Sequence, residues 1–144
     1  MTQSALEIAE QMRAGAHDLV QSREVLARLF AETVELRHVP RRPSDGPISG
    51  RLLSEVARRE AEAVSRALPG LIVEDPEITV EADTIRVRRR TAGTLLDGTT
   101  IDVRTNTLFS VGEGAIVALQ SDMDAAGIEA WQKVLAAGDF EAPR

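Results

Sequence analysis

Residues 99–124 read TTIDVRTNTLFSVGEGAIVALQSDMD, and residues 125–137 continue as AAGIEAWQKVLAA. The first stretch alternates apolar and polar side chains on both sides of Gly112-Glu113-Gly114. Alternation with period two, broken once by a short glycine turn, predicts two long antiparallel strands in a hairpin. The second stretch has helical spacing, with Ile128, Trp131, Val134 and Leu135 as its apolar residues. Asp124 stands at the junction, on the rim of the predicted sheet.

Upstream, Glu77-Ile78-Thr79-Val80-Glu81 also alternates, and Ala82-Asp83 turns it into Thr84–Thr91. A two-residue turn fixes the register. Val80 then faces Ile85 and Ile78 faces Val87 on one side, while Thr79 and Glu77 face Arg86 and Arg88 on the other. Acid lies beside base on the solvated face, each such pair contributing only ~0.2–1 kcal/mol. The same register puts Arg89 on the apolar side with Ile85 and Val87. A bulge after Val87 would instead turn it outward to join Arg88 and Arg90, because a one-residue slip reverses the face.

The first half is helical in period. Leu6, Ala9 and Met12 recur every three residues, and Val25, Leu26, Leu29 and Phe30 form a second stripe. Gly15 and His17-Asp18 separate the two helices, with His17 expected at the surface. Val34–His38 alternates as a short strand, and Pro40, Pro43, Asp45-Gly46-Pro47 and Gly50 mark a loop. A longer helix is predicted over 51–68, with Leu53, Val56, Ala57, Val64, Ala67 and Leu68 on one face and Arg58, Arg59, Glu60 and Glu62 mostly elsewhere. Pro69-Gly70 ends it. No repeat, low-complexity tract or linker divides the chain, so one domain over 1–144 is expected. Helices, then a meander of strands, then a closing helix make an α+β pattern. The expected architecture is a cone-shaped, curved antiparallel sheet wrapped around N-terminal helices, enclosing a pocket for a ligand.

Composition narrows the chemistry. The net charge of −6 leaves no basic surplus to neutralise phosphates, so nucleic acid is not an expected partner. Without cysteine there is no disulfide, thiolate ligand or sulfur nucleophile. Only two histidines are present and no His-x-x-x-His spacing, which argues against a metal site. No apolar run reaches membrane-spanning length, and the acidic, amphipathic start lacks the features of a signal peptide. The expectations are a cytoplasmic protein, no membrane partner and no cofactor.

Several short motifs resemble those of the nuclear-transport-factor-two-like superfamily, in particular its SnoaL-like branch. They are Gly50-Arg51 at a helix start, Ala67-Leu68-Pro69-Gly70-Leu71 at its end, and Ala82-Asp83-Thr84-Ile85 followed by Arg90-Thr91-Ala92-Gly93-Thr94. Asp97-Gly98 precedes a long strand, Phe109-Ser110-Val111 leads to Gly114-Ala115-Ile116, and Asp124 falls where that branch has a terminal aspartate. Their order and spacing carry the likeness over about 90 residues of the chain. The resemblance implies cofactor-free acid–base chemistry on a hydrophobic metabolite of polyketide or terpenoid type. Cyclisation or isomerisation comes first and epoxide hydrolysis second. The superfamily also holds non-enzymes, so a small-molecule-binding or dimerisation module is the rival reading.

Candidate site residues follow. The resemblance makes Asp124 the proton shuttle, yet an aspartate directly before Ala125 can equally cap the helix. An inward Arg89 would bind an anionic or carbonyl oxygen or orient Asp124. His38 ends the first strand where a pocket wall would lie, and it can exchange protons near neutrality or simply bond backbone. Gln120 shares the face of Asp124 and could donate to a ligand, and Trp131 is either core packing or the ligand's roof. Val117, Leu119 and Met123, with Leu108, form a stripe opposite Asp124 that would suit a homodimer contact. Two departures from the resemblance stand out. The tyrosine of the ketosteroid isomerases is missing, because the chain has none. Arg89-Arg90-Thr91 lacks the second carboxylate of the Asp–Arg–Asp arrangement in limonene epoxide hydrolases.

Overall fold

A computed structural model describes residues 3–16 and 18–143, so His17 lies outside the described residues. Helices α1 (Ala5–Ala14) and α2 (Leu19–Leu29) come first, then strands β1 (Phe30–Val39) and β2 (Gly46–Ser49). Helix α3 (Gly50–Ala67) follows, then β3 (Ile72–Val73), β4 (Glu77–Glu81), β5 (Thr84–Thr94), β6 (Thr100–Gly112) and β7 (Ala115–Asp122), and finally α4 (Ala125–Ala137). Each helix start is capped by an oxygen-bearing side chain. Ser4, Asp18, Ser49 and Asp124 accept from the backbone N–H three residues on, satisfying donors that a helix start leaves unpaired.

The strands form one sheet in the order β2-β1-β7-β6-β5-β3, with β4 also paired to β5. The fold class is α+β, as expected. The sheet is mixed, not wholly antiparallel, because β1 runs parallel to β7 and sets His38 level with Ser121. Local alternation cannot reveal this, since parallel and antiparallel strands share the same period. The β4–β5 register agrees with the sequence reading, Val80 facing Ile85 and Ile78 facing Val87. The β6–β7 turn is tight: Glu113 (φ 53) and Gly114 (φ 81) both take the left-handed conformation that a two-residue hairpin needs. Gly50 is needed for another reason. A Cβ there would lie 2.1 Å from the Ala31 carbonyl oxygen, so only glycine lets α3 start against β1.

Two corrections concern which side of an element is buried. Leu6 is 66% exposed, and the buried stripe of α1 is Ala5, Ile8, Ala9 and Met12. The stripe on β7 is divided by a bulge opposite Ser110/Val111. Val117 is exposed, whereas Leu119 and Met123 line the interior. The proposed dimer contact is therefore not a continuous outer surface.

The buried apolar residues gather in three clusters. One joins α1 and α2 to Ile85, Phe109 and Ile116, the second joins α3 and α4 to Ile101 and Val103, and the third comprises Val34, Leu36 and Leu53. Burying each large aliphatic side chain stabilises the fold by about 1.5–3 kcal/mol. The clusters do not fill the cone. Members of all three border a cavity of about 410 Å³, within the ~300–1,000 Å³ typical of small-molecule sites.

Candidate active site

Alternation along the strands selects what faces this cavity. On β1, Val34 and Leu36 point inward and His38 is the next residue of that face. On β5 the inward residues run Ile85, Val87, Arg89, Thr91, and on β6 Val103, Thr105, Thr107 and Phe109 lie across from them. Trp131 of α4 completes one wall. The structure thus brings His38, Arg89 and Trp131 to one apolar cavity.

Asp124 and Gln120 are elsewhere, and both need correction. The Asp124 side chain is exposed and its Oδ1 accepts from Gly127 N at 2.7 Å. It is the cap of α4, and it borders an open outer groove instead of the cavity. Gln120 lies on the outer face of β7, where it donates to Asp122 Oδ1 at 3.2 Å. Alternation cannot say which side of the sheet the helices cover. Replacing Asp124 with Ala should cost about 1 kcal/mol of stability, which the denaturant midpoint would measure.

His38 is held by a built-in partner. Its Nδ1 lies 2.5 Å from Asp45 Oδ1, and its backbone N–H donates to Asp45 Oδ2 at 2.9 Å. Arg42 N also donates to Asp45 Oδ2, at 3.2 Å. The imidazole hydrogen bond, with these backbone donors, outweighs desolvation and holds the Asp45 carboxyl at about 2. A carboxylate on Nδ1 fixes the proton there and leaves Nε2 as the nitrogen with a free lone pair.

The sign of the pH effect follows. The folded pKa of Asp45 lies below its ordinary value of 3.8, so the unfolded chain binds the extra proton. Asp45 contributes stability above about pH 4, and that contribution is lost as pH falls toward 2. Thermal melts across this window should show a shallower decline for Asp45→Asn than for the parent chain.

Two charged residues that the sequence reading did not single out complete the cavity. Arg23 of α2 and Glu60 of α3 both line it. Part of the surface they leave accessible is cavity wall, and both charges are removed from bulk water. Burial raises the Glu60 carboxyl, opposed by the positive charges of Arg23 and Arg42, by His38 and by the Trp131 indole donor. Burial lowers the Arg23 guanidinium, with Glu60 pulling the other way. The Arg23 Nε is buried without a hydrogen-bond partner. Arg89 is lowered to about 10, first by burial and then by Arg23, against the pull of Asp75.

A signal for both residues was present. Glu60 follows Leu53, Val56 and Ala57 and precedes Val64 and Ala67 at helical spacing. Arg23 falls between Leu19, Leu26 and Phe30 in the same way. Each is a charge set in an otherwise apolar stripe. Among the described residues, no group of three or more His, Asp or Glu side chains could hold a metal ion. Nor is any described helix long and apolar enough to cross a membrane.

Comparison with known proteins supports the architecture. No protein-family model matches the chain, and no curated protein matches its sequence. Solved structures do match in fold. A candidate SnoaL-like polyketide cyclase from Jannaschia sp. CCS1 is 18% identical with a TM-score of 0.55, over 95% of this chain and 94% of that one. An LEH-like epoxide hydrolase of M. tuberculosis is 15% identical with a TM-score of 0.55, over 93% and 90%. A nuclear-transport-factor-two-like protein from Burkholderia xenovorans LB400 is 17% identical with a TM-score of 0.59, over 90% and 97%. The chain has the nuclear-transport-factor-two-like fold, as its motifs implied.

Proposed function

We propose that this protein is an acid–base enzyme whose own side chains move protons on a mostly apolar, carbonyl-bearing small molecule held in the cavity. The observation that carries this reading is the pairing of His38, oriented by Asp45, with Glu60, which burial biases toward its protonated form. Two groups in one cavity, one set as a base and one as an acid, form the arrangement that proton transfer requires.

His38 Nε2 would take a proton from the carbon beside the carbonyl. The freed electron pair moves onto the carbonyl oxygen, giving an enolate that the positive potential of Arg23 and Arg89 favours. Glu60 would protonate the enolate oxygen or a carbon further along. Return of a proton to a different carbon is an isomerisation, and attack of the enolate on a second carbonyl is a ring closure. The names of the similar structures, a candidate cyclase and an epoxide hydrolase, are compatible with a ligand of this kind. The proposed ligand is of polyketide or terpenoid type. Isomerisation or cyclisation is favoured over epoxide opening, because no pair of carboxylates flanks Arg89 in the cavity.

The test is hydrogen–deuterium exchange in heavy water, followed by NMR. A panel of cyclic ketones, with and without a carboxylate substituent, should exchange the hydrogens beside the carbonyl faster than buffer alone exchanges them. Ligands that bind yet exchange only at the buffer rate would favour the binding-module reading instead.

A further inference from the structure

A small recess of about 50 Å³ adjoins the main cavity, sharing Arg23, Leu26, Arg89, Thr105, Thr107 and Phe109 with it. Its polar lining residues are Ser22, Arg23, Arg89, Thr105 and Thr107, and among the described residues no aspartate or glutamate lines it. A water molecule occupies about 30 Å³ of liquid, so the recess suits a group the size of a carboxylate. Arg89 is already aimed. Its Nη1 donates to the Ala16 carbonyl and its Nη2 to Ser22 Oγ, both at 3.3 Å, and each nitrogen keeps a second hydrogen. Arg23 lines the same recess, and its Nε is buried without a hydrogen-bond partner.

The charges leave the site incomplete. Arg23, Arg89 and Arg42 line the main cavity with one carboxyl, Glu60, and no ion pair within 4.0 Å joins Arg23 to it among the described residues. Asp75 acts on Arg89 from the outer groove. Two guanidiniums that repel each other across a recess free of acids would gain from an oxyanion between them, because arginine bonds carboxylates in charge-assisted pairs. The remaining walls are apolar, including Leu19, Phe30, Leu119 and Trp131.

We infer that the recess is an anion subsite formed by Arg23, Arg89 and Ser22, and that the ligand is an apolar ring compound bearing one carboxylate or an equally acidic enol. This rests on the proposed use of the cavity as the ligand site. It adds that the anionic group is present before any proton is moved, so it governs which molecules enter.

Trp131 is the chain's one tryptophan, so its emission reports on the cavity. The probes are cyclohexylacetate and its neutral isostere cyclohexylacetamide, titrated at pH 7.5. The acid should bind more tightly by about tenfold or more, one charge-assisted contact being worth over 1.4 kcal/mol. In Arg89→Met and in Arg23→Met the acid-to-amide ratio should fall below about threefold. Equal binding of acid and amide to the parent chain overturns the anion subsite and leaves the acid–base reading standing. A preference that persists in both variants places the anion elsewhere and also overturns it. Failure of both probes to change Trp131 emission overturns the cavity as a ligand site, and both proposals with it.

Discussion

His38→Gln is expected to slow exchange of the hydrogens beside a ketone carbonyl by about 10²–10⁴-fold, the usual worth of a positioned general base. Glutamine retains an amide N–H that can donate to Asp45, so the β1–β2 loop keeps its anchor. The melting temperature should therefore move little. What is lost is the nitrogen lone pair that Asp45 leaves free by holding the Nδ1 proton. Asp45→Asn should lower the rate less, because the base survives and only its orientation is relaxed. A variant that exchanges at the parent rate would remove His38 from the mechanism and leave Glu60 as the proton acceptor to examine.

Arg23→Met should stabilise the protein, by about 1–3 kcal/mol, while impairing it. Arg23 is a desolvated guanidinium with a buried, unpartnered Nε. Leaving such a group unsatisfied costs about 1–3 kcal/mol. Replacing buried charges with apolar side chains of similar volume is often neutral or stabilising. The expectation is asymmetric. Glu60 loses its nearby positive charge in this variant, but a carboxyl can take up a proton, whereas an arginine cannot shed one. Methionine also suits the irregular space beside Leu26 and Phe109. Thermal melts at pH 7 would measure the gain, and the exchange assay the loss. A destabilised Arg23→Met variant would mean that the residue holds the fold together and is not retained for the ligand. Such a trade between stability and activity is the expected signature of a residue kept for function.

The two corrected site residues show where sequence reasoning stops. Gln120 and Asp124 are expected on one face at the end of the last strand; Gln120 lies on the outer face of β7, whereas Asp124 falls beyond its end at Asp122 and caps α4. Alternation defines two sides of a strand, and the side that meets the helices is decided by packing distant in sequence. Arg89 shows a similar limit. Its inward placement is one of two that the local pattern allows, and the continuous β5–β6 register, with no bulge after Val87, decides between them. The placing of Glu60 off the apolar face of the long helix is corrected, because it lines the cavity with Leu53, Val56 and Ala57; Arg23 has no place in the sequence reading, since charged residues usually mark the solvated face of a helix. Their spacing within apolar stripes was the contrary signal.

From the amino-acid order alone came the α+β class, the option of Asp124 as a helix cap, the β4–β5 register and the family likeness of the fold. These depend on neighbours within a few residues, where turn geometry, capping oxygens and period-two or period-3.6 patterning act directly. Tertiary structure alone decided that β1 runs parallel to β7, and that His38, Glu60, Arg23 and Arg89 meet at one cavity. Those four side chains come from β1, α3, α2 and β5, and only the packing of these elements gathers them.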